Sequence, residues 1–193
     1  RHVIDIDIYH AKNDKPAYSG GMFWHTAHYQ DARTSTHRSM SARMGTSNAS
    51  VLGGGPCNEH NYTHGLALYF FLTGEQRARE AALKLADWVI ATDDGRESIF
   101  GIVSSQPTGA ASSTRDRNFH GPGRGAGNSI NALLDGWLLS SDRRYLDSLT
   151  TLLRRTIHPK DEVEKHRLLD VENRWSYTVY LQALDRMLRL TSP

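Results

Sequence analysis

The chain has 193 residues, which is enough for one domain or for part of a larger one. Its 23 Lys and Arg residues nearly balance its 21 Asp and Glu residues, and a net charge of +2 argues against a nucleic-acid-binding protein. A longest apolar run of seven residues, Leu66–Leu72, argues against a membrane partner, and a single cysteine, Cys57, excludes an internal disulfide framework.

Both ends of the chain are abrupt. Residues Arg1–Tyr9 alternate apolar and polar side chains, which predicts a β-strand at the very start. The residues before Thr191 have the pattern of a helix. We therefore expect a fragment of a longer protein whose remaining domains are partners. Residues 1–22 would be an extended segment at the edge of a neighbouring β domain, and residues 23–193 part of a helical domain.

A repeat of 67 residues organises the helical part. Residues 65–90 and 132–157 each read as a helix that is apolar on almost every side, a short corner and an amphipathic helix. The corners carry Gly74 in one copy and Ser141–Asp142 in the other, which are typical helix stop and start residues. A third copy begins at Trp175. The predicted apolar positions are Ala78, Ala81, Ala82, Leu85 and Val89 in the first amphipathic helix, and Leu181, Leu184, Leu188 and Leu190 in the third copy.

Repeated hairpins of one buried and one outer helix predict an all-α fold, either part of an (α/α) toroid or an α-solenoid. The repeat is about twice the roughly 34 residues of a tetratricopeptide unit, because long loops lead into each buried helix. This favours a toroid with these loops gathered at one end. Long loops of this kind usually carry function.

The first candidate site is the polar run Asn58–His64. His60 and His64 are four residues apart and would share one face of a helix that starts by Asn58. Glu59, Asn61 and Tyr62 accompany them, which makes a dense set of proton-transfer groups at a helix start. The alternative is a structural one, in which Asn58 caps the helix and the histidines make local hydrogen bonds.

Two further loops and one helix start have compositions that suit an acidic sugar. Aromatic side chains stack on sugar faces, and arginines bind carboxylates in a bidentate manner. Each segment also has a structural alternative: the first would be a polar loop that covers a hydrophobic core, the second a solvated loop, and the third a helix cap with Trp175 packed in the core. The candidates are Trp24, His25, His28, Arg33 and His37 in the first loop, His120 and Arg124 in the second, and Arg174 and Trp175 before the third apolar helix.

A metal site and a nucleophilic cysteine are two alternatives to this interpretation. His60 and His64 with a histidine of residues 25–37 could bind a divalent metal such as zinc, but Glu59 precedes the first histidine, so the HExxH pattern is absent. We therefore expect no cofactor. Cys57 beside His60 could act as a nucleophile, although a lone cysteine is more often inert.

The runs Gly53–Leu72 (GGGPCNEHNYTHGLALYFFL) and Phe23–His37 (FWHTAHYQDARTSTH) resemble the catalytic α/α toroid of polysaccharide-degrading enzymes with a six-hairpin glycosidase-like fold. The nearest resemblance is to the exo-rhamnogalacturonan lyase-like family. It covers most of the chain as helical repeats, and its specific motifs are these two runs. It implies a toroid joined to β-sandwich domains, an acidic polysaccharide or oligosaccharide as substrate, and an extracellular or periplasmic location.

The chemistry that the resemblance implies is β-elimination at a uronate. An Arg or Asn neutralises the carboxylate, a His or Tyr takes the C5 proton, and a Tyr or His protonates the leaving oxygen. Acid and base stay unassigned. The residues this implies for catalysis are His60, His64 and Tyr62, with His25 or His28 opposite and Glu59 beside them; those for substrate binding are Arg33, His37, Asn61, Trp24, His120, Arg124, Arg174 and Trp175.

Two other functions fit the same pattern. A glycoside hydrolase on this toroid would need two carboxylates about 5–9.5 Å apart, for which Glu59 with Glu172 or Asp170 are candidates. A non-catalytic helical scaffold or assembly subunit would use the same loops to bind a partner.

Overall fold

The structure is a computed structural model that describes residues 1–12, 19–22, 32–34, 58–92, 122–160, 162–164, 169–170, 172 and 175–191. This part of the chain is mostly helical and contains no strand. None of its helices has the length and hydrophobicity that crossing a membrane requires. The helices are α1 (His64–Thr73), α2 (Gln76–Thr92), α3 (Arg124–Ser140), α4 (Arg143–Thr156) and α5 (Ser176–Thr191), with a π turn at Val3–Asp7 and a 3-10 turn at Asn58–His60.

The two predicted hairpins are confirmed, down to the geometry of their corners. Gly74 ends α1 in the left-handed region at φ 73°, and its N–H donates to the carbonyl of Phe70. Ser141 ends α3 at φ 59°, and its N–H donates to Trp137. These two pairs of residues are one repeat apart. Asp142 then caps α4 by accepting a hydrogen bond from the backbone N–H of Arg144.

The two outer helices, α2 and α4, pack as the amphipathic pattern predicts. All five residues of the predicted stripe on α2 are buried, and on α4 the positions Tyr145, Leu149 and Leu152 are buried in the same way. A polar contact joins the two helices, since the hydroxyl of Tyr145 donates to Asp87 at 2.7 Å and Arg144 donates to the same oxygen at 2.6 Å.

Helix α3 is the centre of the described structure and contacts each of the other four α-helices. Most of its surface is buried, including Ile130, Leu133 and Leu134. Its close contacts depend on glycine, because a Cβ at Gly127 would lie 2.9 Å from the backbone of α5. The predicted burial of the first helix of a hairpin is therefore confirmed for the second copy.

The same prediction is wrong for α1, and the predicted pattern of the third copy is also wrong. Ala67 is the one buried residue of α1, while Leu68, Tyr69, Phe71 and Leu72 are exposed. In α5 the buried residues are Tyr180 and Ala183, whereas Leu181, Leu188 and Leu190 are exposed and Leu184 packs only partly. The physical reason is that α3 has a neighbour on both sides, and α1 and α5 each contact α3 through one face.

The helices α1, α3 and α5 run in the same direction. Near the start of α1, His64 meets Asp135, and further along Ala67 packs with Leu139. Between α3 and α5, Gly127 packs against Tyr180, and Asp135 pairs with Arg186, which lies about one and a half turns after Tyr180. Residue numbers rise together along both pairs of helices, so the N-terminal ends of α1, α3 and α5 point to one end of the structure.

The predicted N-terminal strand is wrong. Val3–Asp7 forms a π turn, and the described residues contain one isolated bridge, between Ile8 and Met22. A strand needs a continuous partner for its backbone groups. Here Asp5 N donates to Arg1 O within the turn, and the bonds to other segments, such as Arg33 N to Asp5 O, do not form a ladder among the described residues. Ile8 and Met22 instead pack against Ala81 and Leu85 of α2.

Candidate functional site

The site is built where the chain that leads into α1 crosses α3. Asn128 of α3 donates from its side-chain amide to the carbonyl of Glu59 at 2.8 Å, and Asn61 donates to the carbonyl of Leu85 in α2 at 3.3 Å. Asn61 is buried, so its side chain fixes this segment to the helical body. The α-helix begins only at His64, and His60 belongs to the separate 3-10 turn. The two histidines therefore do not share a helix face.

Glu59, His60 and Arg124 form one polar cluster. One terminal nitrogen of Arg124, Nη2, donates to the carboxylate of Glu59 at 2.7 Å and lies 3.4 Å from Nε2 of His60. Both charged side chains are about four-fifths buried, which makes this a largely desolvated ion pair. A guanidinium has five N–H donors, and these contacts use one terminal nitrogen only.

Two aromatic side chains border this cluster and are about half-exposed. The guanidinium of Arg124 lies 5.0 Å from the ring centre of Trp175, within the range of a cation–π contact. The ring of Tyr62 meets that of His60 edge to face at 5.9 Å. Trp175 and Tyr62 thus each present a free ring surface to solvent beside polar groups. Tyr and Trp combine a large apolar ring with a polar group, and they are enriched at binding interfaces.

His64 is paired with a carboxylate that the sequence analysis did not select. Its Nδ1 lies 3.3 Å from Oδ1 of Asp135, slightly longer than the ordinary range of about 2.7–3.2 Å for an N–H···O hydrogen bond. Asp135 is fully buried in the middle of α3, whereas His64 is half-exposed. The second oxygen of Asp135 accepts from the hydroxyl of Thr63 at 2.5 Å. An exposed imidazole oriented by a buried carboxylate is the arrangement of a proton-transfer group.

Arg186 of α5 completes the charge balance of Asp135. Its Nη2 donates to Oδ1 of Asp135 at 2.5 Å, and its Nη1 donates to the side chain of Asn131, one helical turn earlier on α3, at 3.0 Å. A buried carboxylate without such a partner would be strongly destabilising. The network therefore links the start of α1, the middle of α3 and α5.

The structure brings five of the predicted site residues together and places Arg33 elsewhere. Arg33 has a left-handed backbone conformation and pairs with Asp5 on the N-terminal segment. Those brought together around Arg124 are Glu59, His60, Tyr62 and Trp175, while the predicted residues Trp24, His25, His28, His37, His120 and Arg174 lie outside the described part of the chain, as does Cys57.

The residues that sequence reasoning missed are Asp135, Asn131 and Arg186. One signal was present, because Asp135 is a charged residue inside the apolar run of residues 132–139, and aspartate is almost never fully buried unless it is paired. Within the described ranges, no three His, Cys, Asp or Glu side chains are arranged to hold a metal ion. Comparisons with protein families, curated proteins and solved structures find no match for this chain.

Proposed function

We propose that this chain is part of a carbohydrate-active (α/α) toroid that cleaves an acidic glycan by β-elimination. The observation that carries the proposal is the half-exposed His64 held by the buried Asp135, at the end of the same segment along α3 whose Glu59 contacts Arg124. The parallel course of α1, α3 and α5 is compatible with a toroid of hairpins. The sequence resemblance to the exo-rhamnogalacturonan lyase-like family supports the same proposal, including an extracellular or periplasmic location.

Substrate binding is assigned to Arg124 and the two half-exposed aromatic rings. The donors of Arg124 that do not face Glu59 can take the carboxylate of a uronate, and Trp175 can stack on a neighbouring sugar. Neutralising the carboxylate lowers the barrier to removing the C5 proton, because the negative charge that develops during elimination spreads onto that group.

The reaction itself needs one base and one acid. We assign the base to His64, whose imidazole takes the C5 proton. The electrons of that C–H bond form the C4–C5 double bond, and the C4–O bond to the leaving sugar breaks. Tyr62 or His60 then donates a proton to the leaving oxygen. His60 lies beside the proposed carboxylate-binding Arg124, and the ring of Tyr62 contacts that of His60.

The test is incubation of the full chain with a panel of uronate-containing polysaccharides, followed by ultraviolet absorbance and by reducing-end assays. A rise in absorbance from the C4–C5 double bond on one substrate supports the lyase and names the glycan class. New reducing ends without absorbance would contradict elimination and favour a hydrolase. In that case Glu59→Gln should abolish cleavage, and Glu75→Gln, on the exposed corner after α1, should not.

A helical scaffold is the second candidate, because one observation favours it. Large apolar side chains of α1, among them Phe71 and Leu72, are exposed, and contiguous exposed apolar surface is typical of protein–protein contacts. Neither absorbance nor reducing ends on any glycan of the panel would favour this function over both enzymes.

A further inference from the structure

We infer that Asp135 and Arg186 are positioning residues that hold His64 as the Nδ1–H tautomer, so that Nε2 is its basic nitrogen. The consequence for catalysis rests on the proposed function, but the tautomer itself does not. The inference concerns two residues on α3 and α5 that lie outside every candidate site of the sequence analysis.

The tautomer follows from what the partner atom can do. A carboxylate oxygen accepts hydrogen bonds and has no proton to donate. Oδ1 of Asp135 faces Nδ1 of His64 at 3.3 Å, so the hydrogen of a neutral imidazole must lie on Nδ1. The lone pair is then on Nε2, on the side chain's other edge. Half of the His64 side chain is exposed, and Nε2 is the nitrogen that does not face Asp135, so we assign it the substrate proton.

The carboxylate can fix this geometry because it cannot rotate. Thr63 holds Oδ2 at 2.5 Å, and Arg186 holds Oδ1 at 2.5 Å. Arg186 is itself held by the side chain of Asn131 at 3.0 Å. Both oxygens of a fully buried group are thus restrained by donors from the start of α1 and from α5, and the direction of the Oδ1 lone pairs sets the plane of the imidazole ring.

Arg186 also allows Asp135 to orient His64 without leaving an unbalanced negative charge in the helical body. Its guanidinium balances the negative charge of Asp135 inside the helical body, so the carboxylate acts on His64 mainly through the direction of one hydrogen bond. Replacement of Asp135 by asparagine alone keeps an oxygen at the Oδ1 position, because Arg186 donates there and the hydroxyl of Thr63 can accept from the amide. In the double variant Asp135→Asn/Arg186→Met that donor is gone, so the amide can donate to Nδ1 while its oxygen accepts from Thr63, and the hydrogen of the imidazole then lies on Nε2.

The test is long-range 1H–15N spectroscopy of the histidine rings in the labelled full chain, at a pH where His64 is neutral. His64→Gln removes one set of ring signals and assigns the remaining spectrum. We expect Nδ1–H in the wild type and in Asp135→Asn, and mainly Nε2–H in Asp135→Asn/Arg186→Met. Asp87→Asn is the matched control, since Asp87 is also paired with an arginine but lies between the outer helices.

Two results would overturn the inference. The first is a wild-type His64 that is already the Nε2–H tautomer, which decides the question even if the double variant does not fold. The second is an unchanged tautomer in a folded Asp135→Asn/Arg186→Met. If the protein eliminates a glycan, this double variant should also lower kcat on the order of 10³-fold with KM little changed. Absence of elimination in the wild type would contradict the proposed function and leave the tautomer result standing.

Discussion

Helices α1 and the second half of α3 are repeat copies of each other with opposite surroundings. Leu72 of α1 is 84% exposed, and its counterpart Leu139, one repeat later, is 7% exposed. Both sequences are strongly apolar. The difference is that α3 lies between α1 and α5, whereas the described residues cover α1 on one side only. Apolar character on every side therefore indicates that a helix can be buried, and its neighbours decide whether it is.

A second difference between the copies concerns charge. Asp135 is fully buried at the position where the first copy has Leu68, which is 46% exposed. The charge is thus present in the more buried of the two copies, where its desolvation costs the most free energy. It is stabilised by Arg186 and Thr63, and it contacts His64. Packing alone does not require a charge at this position, because well-packed apolar residues can often replace a buried ion pair without loss of stability.

The largest expected effect comes from truncating the two matched leucines. Leu139→Ala should lower the free energy of unfolding by about 2–4 kcal/mol, because it removes buried methyl groups and leaves a cavity. Leu72→Ala, at the exposed counterpart, should cost about 0.5 kcal/mol or less. Urea unfolding of both variants measures the difference. Equal losses would mean that α1 is covered in solution and would contradict the comparison.

Two glycines test the same difference in packing between α3 and α1. Gly127→Ala should destabilise by about 1–3 kcal/mol, because the new Cβ would lie 2.9 Å from backbone atoms of Val179 and Tyr180. At Gly65, in the first turn of α1, a Cβ meets nothing within 4 Å. Gly65→Ala should therefore leave stability unchanged or raise it by up to about 1 kcal/mol. Thermal unfolding compares the two, and a stable Gly127→Ala variant would argue against close α3–α5 packing.

The outer helices give a smaller, pH-dependent effect. Burial, with the hydrogen bond to Asp87, raises the pKa of Tyr145 to about 12. The folded state then holds this proton more tightly than the unfolded chain, whose tyrosines titrate near pH 10. The stabilisation is complete below pH 10 and is lost as the pH rises towards 12.

Replacing Tyr145 tests this directly. Tyr145→Phe should cost about 1 kcal/mol at neutral pH, through the lost hydrogen bond to Asp87. It should also flatten the decline of stability between pH 9 and pH 11.5, as measured by urea unfolding at each pH. An unchanged slope in the variant would show that Tyr145 does not cause the decline.

The smallest effect is expected at the first of two matched arginines. Arg77 and Arg144 are one repeat apart, and each pairs with an aspartate, Asp5 at 2.7 Å and Asp87 at 2.6 Å. The hydrogen bond from Arg77 holds the pKa of Asp5 below its ordinary value, so this contribution is present at neutral pH and is lost as the pH falls through the lowered pKa.

Arg77→Gln should therefore change the global free energy of unfolding by less than about 1 kcal/mol. Its main effect should be faster amide hydrogen exchange in residues 3–9, which pack on α2 through Ile8. Arg144→Gln is the matched control and should leave exchange in that segment unchanged. Similar exchange in both variants would argue against the Asp5–Arg77 contact.

The parts of the fold that depend on local chemistry could be predicted from the sequence. The corners at Gly74 and Ser141–Asp142 and the stripe of α2 follow from residue types and spacing, and all are confirmed. The π turn at residues 3–7 could not be predicted, because alternation alone does not supply a partner strand. The exposure of α1 and the contact face of α5 depend on which helices lie beside them, which no single segment encodes.

For the site, the sequence predicted the types of residue better than their pairing. Glu59, Arg124 and Trp175 come from three separate segments, and it was their polar, loop-rich context that selected them. Asp135 and Arg186 were missed because each lies inside a helix whose pattern is otherwise apolar or amphipathic. Only tertiary packing shows that they meet, and that His64 meets them.

The most direct test of the central claim is the elimination assay on the first glycan that the protein cleaves, run with wild type, His64→Ala and His158→Ala in parallel. His158 is an exposed histidine just after α4 and controls for loss of an imidazole. We predict that wild type and His158→Ala produce the C4–C5 double bond at the same rate and that His64→Ala loses at least about 100-fold. Equal rates in all three proteins would contradict the assignment of His64 as the base.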